Sequence, residues 1–239
     1  MLELKSVNTY YDKSHILHDV SLKVYDGEIV ALLGRNGVGK TTTLKTIMGL
    51  TPPRSGSIVF KGKEIAGLKP FQIARAGIGF VPEERWIFPK LTVHQNLLIG
   101  IKTGPAAREK SEKGWNLDKC YEYFPALRER KNLKGGVLSG GEKQMLTIAR
   151  TLMGNPELIL IDEPTEGLAP KIVEAVRNII QEISQRGTTI LLVEQKLAIA
   201  LALASRIYVM SKGMIQWEGT PEDLRQQQEV RKKYLEVSE

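Results

Sequence analysis

The sequence is poor in cysteine and contains no long apolar run. Its one cysteine, Cys120, cannot form an intramolecular disulfide and has no neighbouring ligand set at metal-binding spacing, so we expect a reduced, chemically inert thiol. The longest apolar run, residues 197–204, is far shorter than the roughly 18 residues that cross a bilayer, so no membrane span is predicted. The first five residues lack a basic segment followed by an apolar core, and we therefore expect no signal peptide and no export.

Neither sign of charge is concentrated in one part of the chain. The 239 residues include 34 Lys and Arg against 27 Asp and Glu, a net charge of +7, but acids and bases alternate, as at 128–131. This pattern favours a solvated surface over a nucleic-acid or membrane-binding patch, so no nucleic-acid partner is predicted. Apolar residues make up 42 % and charged residues 26 %, an ordinary balance for one or two globular domains.

Two kinds of strand are predicted. Residues 2–7, 20–24 and 58–60 show the alternation and turn signals of an antiparallel sheet. A second set of short runs is almost wholly apolar and is separated by helical segments, which predicts a buried parallel sheet. These runs are residues 29–33, 78–81, 158–161 and 189–193.

The middle and the end of the chain differ from this pattern. Residues between 84 and 156 contain only helix-like stretches, which predicts a helical insert; the stretches are 92–101, 118–130 and 141–152. A hairpin is predicted at 207–217, followed by polar helices from residue 221. We expect this last part to form a small C-terminal appendage.

A phosphate-binding loop is predicted after the first apolar strand. Residues 34–41, GRNGVGKT, match the pattern GxxxxGK[ST] between an apolar strand and a helix-like segment. Its glycines let backbone N–H groups converge on phosphates at a helix N-terminus. Lys40 supplies a positive charge and Thr41 a hydroxyl for Mg²⁺. The predicted nucleotide-binding residues are Gly34, Arg35, Asn36, Gly37, Val38, Gly39, Lys40, Thr41 and Thr42.

Two acids follow another apolar strand, in the sequence LILIDE at 158–163. The carboxyl ends of parallel strands are where open α/β sheets bind ligands, so these acids are expected beside the phosphate loop. Asp162 is then a candidate Mg²⁺ ligand, and Glu163 a candidate base for the attacking water. An acidic turn after a core strand is the alternative.

A second anion site is predicted at LSGGEKQ, residues 138–144. Ser139, Gly140 and Gly141 lie at the start of an amphipathic helix, where N–H groups can bind phosphate. Two phosphate sites in one chain suggest that each nucleotide is held by two subunits. A capped helix without ligand is the alternative.

The phosphate loop, LSGGEKQ and LILIDEP, in this order, resemble the nucleotide-binding subunits of ABC transporters over essentially the whole chain. The resemblance implies an α/β fold with a RecA-like P-loop NTPase core, an antiparallel β-subdomain and an α-helical subdomain. It divides the single domain, 1–239, into a core with β-subdomain and C-terminal appendage at 1–84 and 157–239, and a helical signature subdomain at 85–156. It also implies a head-to-tail dimer with ATP between phosphate loop and signature.

Five further positions are assigned by this resemblance. Tyr11 is expected to stack on adenine, with Ile16 nearby. Gln195 stands in place of the family's switch histidine; it can orient water and contact the γ-phosphate without becoming a cation. Glu83 replaces the usual Q-loop glutamine and is a candidate Mg²⁺ ligand, while Ala169 replaces the usual D-loop aspartate. The expected catalytic residues are Lys40, Glu163 and Gln195, although slow or absent hydrolysis is an alternative.

The segments VPEERWIFPKLTV, DEPTEGLAP and LLVEQ are similar to one of the two ATP-binding subunits of branched-chain amino-acid importers. The implied partners are two membrane-spanning permease subunits, a second ABC ATPase in a heterodimer or a second copy in isolation, and a solute-binding protein acting through the permease. The implied location is cytoplasmic, on the inner face of the plasma membrane. Alternatives are importers of urea, short amides or aromatic acids, a non-transport ABC ATPase, and a nucleotide-binding subunit without turnover.

Overall fold

The computed structural model describes residues 1–102 and 114–235, which form two β-sheets surrounded by helices. The described strands are β1 (Leu2–Tyr11), β2 (Ser14–Val24), β3 (Ile29–Leu33), β4 (Ser55–Phe60), β5 (Lys63–Glu64), β6 (Ile78–Val81), β7 (Leu158–Asp162), β8 (Thr189–Glu194), β9 (Arg206–Ser211) and β10 (Met214–Gly219). The described α-helices are α1 (Lys40–Ile47), α2 (Pro70–Ala76), α3 (Val93–Ile99), α4 (Leu117–Tyr123), α5 (Pro125–Glu129), α6 (Gly140–Leu152), α7 (Pro170–Gln185), α8 (Leu197–Leu203), α9 (Pro221–Gln226) and α10 (Gln228–Tyr234).

The two sheets are the two that the strand patterns predict. The smaller sheet has the order β2-β1-β4-β5 and is antiparallel throughout. The larger sheet has the order β10-β9-β3-β8-β7-β6, and its strands from β9 to β6 run parallel. The predicted α/β class and both predicted sheets are therefore confirmed.

The hairpin of β9 and β10 is part of the larger sheet, so its prediction as part of a C-terminal appendage was wrong. β9 pairs in parallel with β3, placing Val30 opposite Arg206 and Leu33 opposite Val209. β10 adds antiparallel to β9 at the sheet edge. The side chains of β9 are almost all buried, because helices and the smaller sheet cover both faces at this position.

The block between residues 84 and 156 is helical in its described part, while its residues 103–113 lie outside the described residues. The stretch predicted as one helix at 118–130 is two helices, α4 and α5. Phe124 separates them with φ −125° and ψ 65°. Pro125 accounts for the break, because its ring disfavours helical backbone at the preceding residue.

The larger sheet is buried on both faces. In β7, Leu158 and Leu160 pack toward α1 and the smaller sheet, whereas Ile159 and Ile161 pack toward α6 and α7. Alternate side chains of a strand point to opposite faces, so a strand covered on both sides needs a continuous apolar sequence. This explains the unbroken apolar run that precedes Asp162.

The register of the parallel strands brings three chain segments together at one edge. Leu33, the residue before the glycine-rich loop, lies opposite Glu194, and Asp162 lies opposite Val193. The residues that follow β3, β7 and β8 therefore lie side by side.

In residues 1–102 and 114–235, no helix combines the length and the apolar character of a membrane span.

Candidate nucleotide site

The glycine-rich loop connects β3 to α1 through two positions that have no room for a side chain. A Cβ on Gly34 would lie 2.5 Å from the carbonyl oxygen of Met210 on β9. Gly39 caps α1 with φ 110°, a left-handed conformation that residues with a Cβ rarely adopt. Both glycines let the loop turn close against the sheet, as a phosphate cradle requires.

Lys40, the first residue of α1, is turned inward and buried. Its Nζ donates to the Arg35 carbonyl oxygen at 3.0 Å and lies 3.1 Å from Glu163 Oε1. The Lys40 and Glu163 side chains are only 3 % and 7 % exposed. The charge of Lys40 is thus held by the loop and by the carboxylate that follows β7.

Glu163 is held on two sides. Lys40 approaches one carboxylate oxygen, and Gln195 Nε2 donates to the other, Oε2, at 2.5 Å. The backbone N–H of Glu163 donates to the Val193 carbonyl oxygen at 3.0 Å, and its φ is 42°, in the left-handed region. A non-glycine residue in this region is strained, and such strain is found often at functional sites.

The residues expected to bind Mg²⁺ fit a divalent cation. Thr41 Oγ1 donates to Asp162 Oδ1 at 3.2 Å, whereas Asp162 Oδ2 is buried without a hydrogen-bond partner in the described part of the chain. Burial, reinforced by the charge of Glu163, raises the pKa of Asp162 to about 7. A hydroxyl and an unpartnered carboxylate oxygen are ligands of the kind that Mg²⁺ prefers.

Glu83, directly after β6, faces the same region. Partial burial and neighbouring carboxylates, foremost Glu163, raise the pKa of Glu83. The acids around this point repel one another, and a cation between them would relieve that repulsion.

A cavity of about 430 Å³ is lined by many of the residues predicted to bind nucleotide. Its described lining consists of Tyr11, Ile16, Asn36, Gly37, Gly39, Lys40, Thr41, Thr42, Glu83, Glu163, Glu166 and Gln195. Tyr11 is 44 % exposed at the end of β1, where a ring remains free to stack on a base. Gly34, Arg35 and Val38 belong to the same loop but are not among these lining residues.

The LSGGEKQ segment lies outside this cavity. Ser139 caps α6: its hydroxyl accepts from the Glu142 N–H at 3.3 Å, and its own N–H donates to Glu142 Oε2 at 2.8 Å. Ser139 and Gly140 are exposed, while Gly141 is buried against Ile172. Within the described chain, therefore, Ser139, Gly140 and Gly141 are not brought to the phosphate loop.

Three further residues of the site region do not follow from the sequence motifs. Glu166 lines the cavity. Arg85 donates to the Gln144 side chain at 3.2 Å and to the Glu166 carbonyl oxygen at 2.5 Å, which links the Glu83 segment with α6. Glu194 is buried behind Gln195. A buried acid at the end of an apolar strand was the available signal for Glu194; Arg85 has no comparable signal.

Comparison with known proteins identifies the family. Residues 17–166, more than half of the chain, match the family described as ABC transporter. The high-affinity branched-chain amino acid transport ATP-binding protein BraG of Pseudomonas aeruginosa is 44 % identical over 98 % of this chain and 99 % of its own length. A probable branched-chain amino acid transport ATP-binding protein, LivF of Archaeoglobus fulgidus, is 36 % identical over 97 % of both chains. The lipopolysaccharide export system ATP-binding protein LptB of Escherichia coli K12 is 35 % identical over 98 % and 96 %.

Solved structures agree with this assignment. A nucleotide-free ATP-binding cassette from an ABC transporter superposes with a TM-score of 0.82 at 28 % identity, covering 100 % of this chain and 99 % of that one. A dimeric cassette in a post-hydrolysis state, bound to ADP and Pi, gives a TM-score of 0.78 at 28 % identity, covering 92 % and 99 %. The chain therefore belongs to the ABC transporter family, as an ATP-binding protein whose ATPase activity is coupled to transport.

Proposed function

We propose that this chain is the ATP-hydrolysing energy-coupling subunit of an importer for branched-chain or related amino acids. The observation that carries the ATPase role is the contact of Lys40 and Gln195 with the two oxygens of Glu163, beside the phosphate loop. The cargo is supported by the 44 % identity to BraG over nearly the full length of both chains.

Nucleotide binding uses the residues of the cavity and its loop. Tyr11 and Ile16 receive the adenine ring, and the N–H groups from Gly34 to Thr42 surround the phosphates. Thr41, Asp162 and Glu83 hold Mg²⁺, with the unpartnered Asp162 oxygen as the best placed ligand. Bound Mg²⁺ neutralises charge on the β- and γ-phosphates.

Glu163 acts as the base that takes a proton from the attacking water. In the structure described here Lys40 pairs with Glu163. When phosphates enter, Lys40 can turn to their negative charge, which frees one Glu163 oxygen for the water. Gln195 keeps its bond to the other oxygen and orients the carboxylate without itself changing charge.

The second half of the site comes from another ATPase subunit. Ser139, Gly140 and Gly141 are separated from their own phosphate loop, and Ser139 and Gly140 are exposed. In a head-to-tail dimer they contact the phosphates bound by the partner's loop, and closure of this dimer drives transport. The natural partner is a second, different ABC ATPase; in isolation a second copy of this chain takes its place.

Coupling to two membrane-spanning permease subunits occurs beside the Glu83 segment. Trp86 is 50 % exposed and Phe88 is similarly exposed, while Ile87 is partly buried. These apolar side chains offer a contact for a permease helix close to the nucleotide. In this proposal the chain lies on the cytoplasmic face of the plasma membrane, and a solute-binding protein delivers cargo to the permease from the opposite side.

A second candidate is export of lipopolysaccharide, which is favoured by the 35 % identity to LptB over almost the same length. Importers of urea, short amides or aromatic acids are the alternatives closest to the main proposal. A non-transport ABC ATPase and a nucleotide-binding subunit without turnover are the remaining ones.

The proposal is tested in right-side-out membrane vesicles loaded with ATP, prepared from source cells that lack this chain and receive wild type, Glu163→Gln or no protein. We expect ATP-dependent uptake of labelled leucine only with wild type. Uptake of labelled urea or benzoate instead of leucine reassigns the cargo. ATP hydrolysis without uptake of any of these solutes, together with a lipopolysaccharide export defect in the deleted cells, supports the export function and contradicts the import proposal.

A further inference from the structure

The last residue of β8, Glu194, is a buried carboxylate for which the nucleotide site has no direct use. It is 2 % exposed and is not among the described lining residues of the cavity. Burying an apolar residue at this position would cost less free energy, because a buried carboxylate needs hydrogen bonds to replace those it made with water. The bonds that Glu194 makes therefore indicate what it does.

Glu194 is bonded through both oxygens. Oε1 accepts a hydrogen bond from the Thr165 hydroxyl at 2.7 Å. Oε2 accepts two more, from the backbone N–H of Gln195 at 3.1 Å and from that of Lys196 at 3.2 Å. The carboxylate thus joins the segment that follows β7 to the segment that follows β8.

The same two segments are tied at the catalytic end. Gln195 Nε2 donates to Glu163 Oε2 at 2.5 Å, and the Glu163 N–H donates to the Val193 carbonyl oxygen. Lys196 Nζ adds a bond to the Thr165 carbonyl oxygen at 3.2 Å. Glu163 is held in a left-handed conformation inside this closed set of bonds, and such a conformation persists only when its surroundings enforce it.

We propose that Glu194 is a positioning residue: it fixes the backbone of Gln195 so that the Gln195 amide holds the Glu163 carboxylate in place. A glutamine side chain has three rotatable bonds and no ring, so its amide is placed accurately only if its backbone is fixed. Glu194 provides that fixation by binding the N–H of Gln195 itself. The inference rests on the proposed roles of Glu163 and Gln195 in ATP hydrolysis.

Loss of the carboxylate has a specific expected effect. Glu194→Ala leaves the N–H groups of Gln195 and Lys196 without their acceptor, so this short segment relaxes. Glu163 then loses its orientation, whereas the phosphate loop and the bond from Lys40 to the Arg35 carbonyl oxygen are unchanged. We therefore expect the turnover number kcat to fall and the KM for ATP to change little, because a misplacement of about 1 Å costs up to 10²-fold in rate.

The conservative variant Glu194→Gln serves as a rescue. Its amide oxygen can accept from the N–H groups of Gln195 and Lys196, and its amide nitrogen can donate to the Thr165 hydroxyl. We expect Glu194→Gln to stay within threefold of wild-type kcat, where Glu194→Ala is reduced about tenfold or more. Glu174→Ala, an exposed carboxylate on α7, controls for the loss of a negative charge.

The deciding experiment measures ATP hydrolysis in the assembled transporter for the Glu194 variants with and without Gln195→Ala. If Glu194 acts through Gln195, Glu194→Ala lowers kcat at least tenfold in wild type but less than twofold when Gln195 is already alanine. The positioning role is overturned if Glu194→Ala lowers kcat by the same factor in both backgrounds, or if it raises the KM for ATP as much as it lowers kcat. It is also overturned if the Gln195→Ala variant has the kcat of wild type.

Folding and function are checked separately. If Glu194→Ala does not fold, Thr165→Val removes the hydrogen bond between the Thr165 hydroxyl and Glu194 Oε1 instead. We expect a several-fold fall in kcat that disappears in the Gln195→Ala background. A fall in kcat of the same size in both backgrounds overturns the proposal. Failure of the proposed ATPase function is recognised earlier, because the wild-type transporter then hydrolyses no ATP, or Glu163→Gln hydrolyses it normally.

Discussion

The buried pair of Lys40 and Glu163 makes a quantitative prediction for the nucleotide-free chain. At 3.1 Å, two unit charges attract by about 5 kcal/mol with an effective dielectric constant near 20. Removing one member of a buried pair costs about 3–5 kcal/mol, since the other charge stays behind without a partner. Because Glu163 borders a cavity that admits water, we expect Lys40→Met to lower the free energy of unfolding by about 3 kcal/mol, at the lower end of that range.

The double variant separates the charge effect from lost packing. In Lys40→Met with Glu163→Gln no charge is left unpaired, and the new amide oxygen still accepts from Gln195. We expect the double variant to be more stable than Lys40→Met alone, within about 1 kcal/mol of wild type. Lys45→Met is the matched control on the same helix. Lys45 Nζ lies 3.8 Å from Glu84 Oε1 in a partly exposed pair, which contributes at most about 1 kcal/mol.

The assay is urea unfolding without nucleotide at 25 °C, followed by far-ultraviolet circular dichroism and fitted with a common slope for all variants. Two results refute the reasoning. One is a Lys40→Met variant no less stable than Lys45→Met. The other is a double variant that is less stable than Lys40→Met, because the losses would then add instead of cancelling.

Three further predictions concern other parts of the chain. Burial raises the pKa of the Cys120 thiol to about 12, so at pH 8 it stays protonated and should react with a thiol reagent only after denaturant is added; rapid reaction of the folded chain contradicts this. Gly34→Ala places a Cβ 2.5 Å from the Met210 carbonyl oxygen, so ATP affinity should fall at least tenfold in a fluorescent-nucleotide titration, and unchanged affinity contradicts the cradle geometry. Trp86→Ala should abolish vesicle transport and leave ATP affinity unchanged; lost ATP binding would show that Trp86 packs the site instead.

The parts of the fold that could be predicted are those set by local sequence. The central parallel sheet could be predicted from its short apolar runs. The positions of the phosphate loop and of the two acids at the end of β7 could be predicted because each directly follows such a run. The end of α4 at Phe124 could also be predicted, because a proline follows directly. The helix-like sequence of residues 118–130 favoured a single helix instead.

The remaining features depend on contacts between distant segments. β9 joins β3 in parallel across more than 170 residues of sequence. A short strand followed by a tight turn at 212–213 and a second strand is equally typical of an isolated hairpin. The bond between Glu194 and Thr165 spans 29 residues and exists only because β7 and β8 are neighbours. The pattern of one segment does not contain such information; it arises from the order of strands in the sheet.

The central claim, that Glu163 is the catalytic base of a site completed by a second subunit, is tested most directly by one comparison. Purified wild type and Glu163→Gln are assayed for Mg²⁺-dependent ATP hydrolysis and run on size exclusion with and without ATP. We predict that Glu163→Gln loses at least about 10²-fold in turnover and elutes as a dimer only with ATP. Turnover in Glu163→Gln equal to that of wild type, with no dimer in the presence of ATP, would contradict the account.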